Sequence, residues 1–251
     1  MRVVAWNCNT GLPRKFALLE SLKPDVAIIS EASAPERMAD VLGDRGLTSV
    51  WVGRSRLKGL AVYAFPPWSV APACAIDERL EWILPVRLTG PATVSVLAVW
   101  AMHHRARVQF SDAKRYQVQE GLEHYVPLLG SAPLIVAGDF NNNVTWDKDG
   151  QPSNQRIAVE QMARLGLVSA YHATRNVAFG AEAEPTMYWR DRKEDRYRYH
   201  IDFCFIPRAW IAGTTVEVGE FAQWVANGYS DHVPLVVDVD PGVVRPAGTG
   251  L

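Results

Sequence analysis

The sequence predicts a single α/β domain, and three observations carry that reading. Short apolar runs stop abruptly at polar residues, the pattern of buried strands that deliver side chains to a sheet edge. Segments with apolar residues at helical spacing lie between these runs. No internal repeat and no Gly/Ser/Pro-rich linker divides the 251 residues, so the domain is expected to span residues 1–241, with 242–251, rich in Gly and Pro, as a flexible tail. The clearest run is Leu134 to Ala137, followed by Gly138, Asp139, Phe140, Asn141, Asn142 and Asn143. Taken alone, Asp139 and Asn141 read equally well as turn residues, because Asp and Asn are favoured in turns for their local hydrogen bonds.

Other elements repeat the layout. Val3 to Trp6 is apolar and ends in Asn7, Cys8 and Asn9; Val26 to Ile29 is apolar and ends in Ser30 and Glu31. An acid at a strand end beside a cleft is a metal-ligand candidate, although acids also favour the first turn of a following helix. Residues 15–22 carry Phe16, Leu18, Leu19 and Leu22 on a helical stripe closed by Pro24, and residues 36–46 read as a second helix stopped at Gly43 or Gly46. Ser49–Val52 and Leu60–Phe65 suggest a hairpin around a 53–59 turn, and Trp82–Leu88 with Thr93–Trp100 another strand pair. Arg115–Leu129 and Asn154–Gly166 read as helices, and Pro185–Trp189 as a strand. In Tyr199–Ile206 an alternating strand would put His200 and Asp202 on one face. A carboxylate in an apolar strand needs a partner, and the Ser230-Asp231-His232 triplet ahead of the last strand supplies an imidazole.

Composition excludes several classes. The formal charge of −1 lacks the basic balance usual in nucleic-acid binders, so a polyanion site would be local. Cys8, Cys74 and Cys204 are far apart and odd in number. They propose neither a disulfide framework nor a zinc site. The strand-like start at Arg2 shows no signal-peptide pattern and no run approaches eighteen apolar residues, so no membrane insertion and a cytoplasmic location are expected.

Together, Trp6-Asn7-Cys8-Asn9, Glu31, Gly138-Asp139-Phe140-Asn141, His200-Ile201-Asp202 and Ser230-Asp231-His232-Val233-Pro234 resemble, in this order, the endonuclease/exonuclease/phosphatase superfamily. That group includes abasic-site endonucleases, pancreatic-type deoxyribonucleases, sphingomyelinases and inositol-polyphosphate phosphatases. The resemblance spans residues 3–237. It implies a four-layer α/β/β/α sandwich, two mixed sheets face to face with helices outside, and a divalent-metal-dependent phosphoesterase. By matched position, Glu31 would be the main ligand of Mg²⁺ or Mn²⁺, assisted by Asn7 or Asn9 and by Asp231. Asp139 would orient or deprotonate the attacking water, Asn141 would hold the phosphoryl group or that water, and His232, supported by Asp202, would stabilise charge on the phosphate.

Two departures stand out. Asn9 occupies a position that is often aspartate in abasic-site endonucleases. Trp100 fills a slot usually held by a phosphate-contacting histidine or tyrosine, with His103 a few residues on as a possible substitute donor. Substrate-contact candidates are therefore Trp100, His103, Arg105 and Arg190, with Arg54, Arg56, Lys58, Arg107 and Arg192 as further basic residues and nine tryptophans as stacking surfaces. The expected partner is a phosphoester, with nucleic acid first among the candidates, and no obligate protein partner. A phosphatase or phosphodiesterase acting on a small molecule or lipid head group is the second reading, and a binding module that has lost catalysis the third.

Overall fold

The computed structural model describes residues 1–80, 82–101, 107–108, 115–191 and 197–244, with only the backbone at 107–108 and 241. His103, Arg105 and Arg192 lie outside the described residues, as does the side chain of Arg107. In chain order the strands are β1 (Arg2–Asn7), β2 (Val26–Ala32), β3 (Thr48–Ser55), β4 (Lys58–Ala64), β5 (Ser69–Pro72), β6 (Ile83–Thr89), β7 (Thr93–Trp100), β8 (Arg107–Val108), β9 (Arg115–Tyr116), β10 (Leu134–Asp139), β11 (Leu167–Ser169), β12 (Met187–Tyr188), β13 (Arg198–Tyr199), β14 (Asp202–Pro207), β15 (Thr214–Val218) and β16 (Leu235–Val239). The helices are α1 (Phe16–Ser21), α2 (Pro35–Leu42), α3 (Gln117–Tyr125), α4 (Gln155–Arg164), α5 (Ala170–Arg175), α6 (Phe221–Trp224) and α7 (Pro241–Val244).

Two six-stranded mixed sheets dominate, ordered β15-β16-β1-β2-β4-β3 and β11-β14-β10-β7-β6-β5. Each has one parallel pair near its centre, β1 with β2 and β7 with β10. Strand alternation sorts the apolar residues into three layers. Val3, Ala5, Ile28, Val96, Ala98, Ile135 and Ala137 fill the space between the sheets. Val4, Trp6, Ala27 and Ile29 face outward against Phe16, Leu19 and Met38, whereas Leu97, Val99 and Val136 face outward against Val118, Leu122 and Met162. The result is the four-layer sandwich that the resemblance implies.

The same alternation explains the site. Asn7 follows Val3 and Ala5, Asp139 follows Ile135 and Ala137, and Asp202 precedes Cys204 and Ile206, all inward-facing positions. Where the inter-sheet core runs out at one edge, these polar side chains take its place.

Several sequence expectations shift. The β3–β4 turn is only Arg56 and Leu57, because Ser55 already pairs with Lys58. Gly53 and Gly59 lie within the hairpin strands, where a Cβ on either would come within 2.6 Å of the Trp51 ring. The His200–Asp202 strand does not run through. β13 ends at Tyr199 and β14 starts at Asp202, since Asp202 and Ile201 both donate their backbone N–H groups to Thr186 Oγ1 at 3.0 Å instead of to a strand. Ordered structure also enters the expected tail as α7, with Val244 buried in the inter-sheet core. Among the described residues no helix is long and apolar enough to cross a membrane.

Candidate active site at the sheet edge

Asp139 ends β10 fully buried, and three donors fix its carboxylate. Asn141 N–H donates to Oδ1 at 2.9 Å, and the Asn141 and Asn7 side-chain amides donate to Oδ2 at 2.7 and 2.9 Å. The Asn7 Oδ1 takes the backbone N–H of Asn9 at 3.0 Å, so both polar ends of the Asn7 side chain help to shape the site. The strand reaches this point through Gly138, whose φ of +134° brings the chain so close to β7 that a Cβ would lie 2.0 Å from the Val99 carbonyl oxygen. Beyond Asp139, the Tyr116 hydroxyl donates to the Phe140 carbonyl and holds the turn.

Asp202 stands opposite Asp139 in the antiparallel β10–β14 register, and its Oδ2 lies 2.8 Å from His232 Nδ1. Ligand-type atoms of Asp139, Asp202 and His232 all fall within 4.8 Å of one another. The His232 backbone is held on both sides: its N–H donates to Ser230 Oγ at 3.0 Å and its carbonyl accepts from Trp6 Nε1 at 3.2 Å. Ser230 Oγ in turn donates to the Asn7 carbonyl at 2.7 Å, tying the imidazole segment to the end of β1.

The electrostatics separate the roles of these groups. Burial and the Asp202 charge push the Asp139 carboxyl up to about 7, against the lowering influence of His232 and the Asn7 hydrogen bond. Burial alone would lower the His232 imidazole, but Asp202 and Asp139 beside it raise it to about 10. At neutral pH the geometry therefore holds a cationic imidazolium next to a carboxylate poised to exchange a proton.

Glu31 and Asp231 lie toward the surface of the same edge, both half-buried. Glu31 sits in a β-bulge between Ser30 and Ala32 with φ +58°. Left-handed non-glycine residues recur around the site, at Asn9, Thr10, Glu31 and Asn141, the clustering expected where backbone strain serves function. Asn9 is exposed. The carbonyls of Cys8, Asn9 and Thr10 converge on Lys15 Nζ at 2.5, 3.4 and 2.9 Å. Burial lowers the Lys15 pKa, opposed in part by the charges of Cys8, Asp231 and Glu31.

The remaining candidates separate. Trp100 is 1% exposed and packs edge-on to Trp82 at 4.7 Å in the inter-sheet core, so it offers no surface to a substrate; inward alternation along β7 puts it there. Trp6, Trp68, Trp210 and Trp224 are core residues too, Trp51, Trp82 and Trp146 are half-buried, and Trp189 is exposed, with the Arg190 guanidinium 5.8 Å from its ring centroid. Two residues earlier, the Tyr188 N–H donates to the Asp231 carbonyl at 2.8 Å. His200 turns away from Asp202: its Nδ1 lies 2.7 Å from the Glu184 carbonyl and its ring packs on Tyr171. Arg56 is spent on Glu36 at 2.9 Å. Asn143, at the end of the run after Gly138, is buried and donates to the His200 carbonyl at 2.9 Å.

Lys15 and Thr186 leave no signal in the sequence, and the sequence shows Ser230 only as part of its motif. Lys58, one of the further basic residues, has its Nζ 4.0 Å from Glu31 Oε2.

No family model and no curated protein sequence matches this chain. Solved structures do. An AP endonuclease from Archaeoglobus fulgidus superposes with a TM-score of 0.69 at 17% identity, over 96% of this chain and 99% of that one. The 3′ phosphatase NExo from Neisseria, solved with a product DNA hairpin, gives 0.64 at 18% identity over 96% and 99%. An endonuclease/exonuclease/phosphatase from Beutenbergia cavernae gives 0.61 at 22% identity over 95% of this chain and 71% of that one. The chain thus has the fold of the endonuclease/exonuclease/phosphatase proteins.

Proposed function

We propose that this protein is a divalent-metal-dependent hydrolase of phosphodiester bonds, most simply a nuclease. The observation that carries the reading is the buried Asp139–Asp202–His232 cluster, braced by Asn7 and Asn141, at the edge where both sheets meet. Similarity to structures described as an AP endonuclease and as a 3′ phosphatase bound to DNA supports it.

The donor set suits a hard cation. Glu31 and Asp231 offer carboxylate oxygens, Asn9 an amide oxygen, and none of the three cysteines belongs to this set, which favours Mg²⁺ or Mn²⁺ over softer metals. Such an ion would supply Lewis-acid polarisation of the phosphate. The chain's own residues do the rest. Asp139, with its carboxylate oriented by Asn7 and Asn141, accepts the proton of the attacking water; a pKa near neutrality suits a general base. His232, charged and oriented through Nδ1 by Asp202, is left with Nε2 to donate to a phosphate oxygen as negative charge builds there. Asn141 has one amide N–H on Asp139 and a second to offer the water or the phosphoryl group.

A second reading, hydrolysis of a small phosphomonoester, draws on the net charge of −1 and on basic side chains neutralised by acids, such as Arg56 with Glu36 and Arg115 with Glu120 and Glu123. Incubating purified protein and Mg²⁺ or Mn²⁺ with plasmid, single-stranded DNA, RNA and a panel of phosphomonoesters separates the two. Cleavage of a nucleic acid that Asp139→Asn abolishes is the expected result. Turnover of phosphomonoesters alone would move the assignment to the second reading, and no turnover of any phosphoester would overturn both.

A further inference from the structure

Lys58 occupies an unusual place for a surface lysine. It opens β4 beside the two-residue turn of a hairpin that is packed rather than loose: Trp51 lies against Gly53 and Gly59, and its Nε1 donates to the Ala32 carbonyl at 3.1 Å. From this support the ammonium reaches across the gap between the sheets, 4.0 Å from Glu31 Oε2 on one sheet and 5.5 Å from the Trp100 ring centroid on the other. Its side chain is 43% exposed and that of Glu31 20%. A half-exposed ion pair at this distance contributes little to stability, so folding alone gives no reason to hold a cation here. The chemistry of the edge gives one. Among the described residues the end of β7 contributes the buried Trp100 indole, and Lys58 covers the face of that ring.

We propose that Lys58 contacts the substrate phosphate. With the Glu31 carboxylate committed to a metal ion, the Lys58 ammonium, held between Glu31 and the Trp100 ring, is left to donate to a non-bridging phosphate oxygen. The proposal rests on the phosphoesterase reading of this site. It requires no covalent step: the lysine stays protonated, and its contribution is charge on oxygens that grow more negative during displacement.

The test uses the whole chain with Lys58→Met and Lys58→Arg, with thermal unfolding as a check that both fold. Titrations of Mn²⁺ alone, then of inorganic phosphate into the Mn²⁺-loaded protein, are paired with kcat/KM on whichever phosphoester the wild type cleaves. Lys58→Met is expected to bind Mn²⁺ at least as well as wild type, because a cation beside Glu31 has gone. It should bind phosphate about tenfold more weakly and lose roughly tenfold to a hundredfold in kcat/KM, as removal of one charge-assisted hydrogen bond predicts. Lys58→Arg should recover most of the phosphate affinity. Wild-type phosphate affinity and kcat/KM in Lys58→Met would overturn the proposal and leave the phosphoesterase reading standing. Loss of Mn²⁺ binding in Lys58→Met would overturn it too, by making Lys58 a support for Glu31. A wild-type protein that binds neither Mn²⁺ nor phosphate would overturn the site reading itself, and this proposal with it.

Discussion

Asp139 and Asp202 stand directly opposite one another on adjacent antiparallel strands, both fully buried, with the His232 imidazole hydrogen-bonded to the second of them. Like charges in such register are destabilising, and burial adds a desolvation cost. The protonated imidazole compensates these costs, and the arrangement has consequences for both stability and catalysis.

For stability, the sign follows from the direction of the shift. Asp139 is raised from its ordinary 3.8 to about 7, so the fold prefers the neutral carboxyl. That preference is fully expressed below about 3.8 and is lost as pH rises through about 7. Asp139→Asn removes this titration. Its melting temperature relative to wild type should therefore improve by a few degrees between pH 4 and pH 8, whatever fixed offset the lost acceptor introduces. Turnover should fall by about 10²–10⁴-fold, the usual contribution of a positioned base. Thermal unfolding of both proteins across that range checks the first part; a difference that stays flat or moves the other way would mean that Asp139 is an ordinary ionised carboxylate.

For catalysis, the pH profile of kcat/KM should be bell-shaped, rising through about 7 as Asp139 loses its proton and falling through about 10 as His232 loses its own. Asp202→Asn withdraws the charge that raises both groups. Both limbs should then move to lower pH, the basic limb furthest, toward the ordinary histidine range, and the maximal rate should drop by roughly 10²-fold because the imidazolium is less stabilised. An unchanged basic limb would assign that limb to a group other than His232.

Gly138 carries a third expectation. Its φ of +134° and the 2.0 Å approach of a hypothetical Cβ to the Val99 carbonyl leave no room for a side chain between β10 and β7. Gly138→Ala combines a forbidden backbone region with overpacking against main chain and should cost about 3 kcal/mol or more. Denaturant unfolding measures it, and a loss below 1 kcal/mol, taken as roughly the noise of ordinary substitutions, would show that β7 can yield.

These residues also mark how much was legible in the sequence. Asp139, Asp202, Glu31 and the Asp231–His232 pair could be read because each interrupts or closes an apolar run, and the run itself says where the strand stops. Period-2 alternation carried equal information about Trp100, which shares the parity of Val96 and Ala98 and so points into the core; the resemblance to a phosphate-contacting slot overrode it. Ser230 and Thr186 were out of reach for another reason. A serine that bridges Asn7 and His232, 223 residues apart in sequence on one side, leaves no local pattern, and neither does a threonine hydroxyl that ends one strand and steadies another. Lys58 looked like one member of a basic turn because the sequence does not say that the turn is two residues long and that the lysine is already in the strand.

Glu182 gives the last expectation, away from the reacting groups. Its Oε1 accepts from Gly180 N–H at 2.9 Å and from the Asn143 amide at 3.3 Å, and it lies 2.9 Å from His172 Nε2. Both the Glu182 and His172 side chains are 6% exposed. Burial alone would raise this carboxyl, but the His172 and Gly180 hydrogen bonds hold it down at about 2. The stabilisation is therefore present above the ordinary glutamate range and lost as pH falls toward 2. Glu182→Gln keeps the shape and an Oε1 acceptor but removes the charge that strengthens these buried hydrogen bonds, at a cost of about 1–3 kcal/mol near neutral pH. Because Asn143 also holds the His200 carbonyl, two residues before Asp202, the variant should slow turnover modestly while leaving Mn²⁺ affinity unchanged. Urea unfolding of wild type and variant at pH 7 and pH 3 is the check: the gap between them should narrow at pH 3, and a gap that is absent at pH 7 would mean that the Glu182–His172 contact contributes nothing to holding this side of the site.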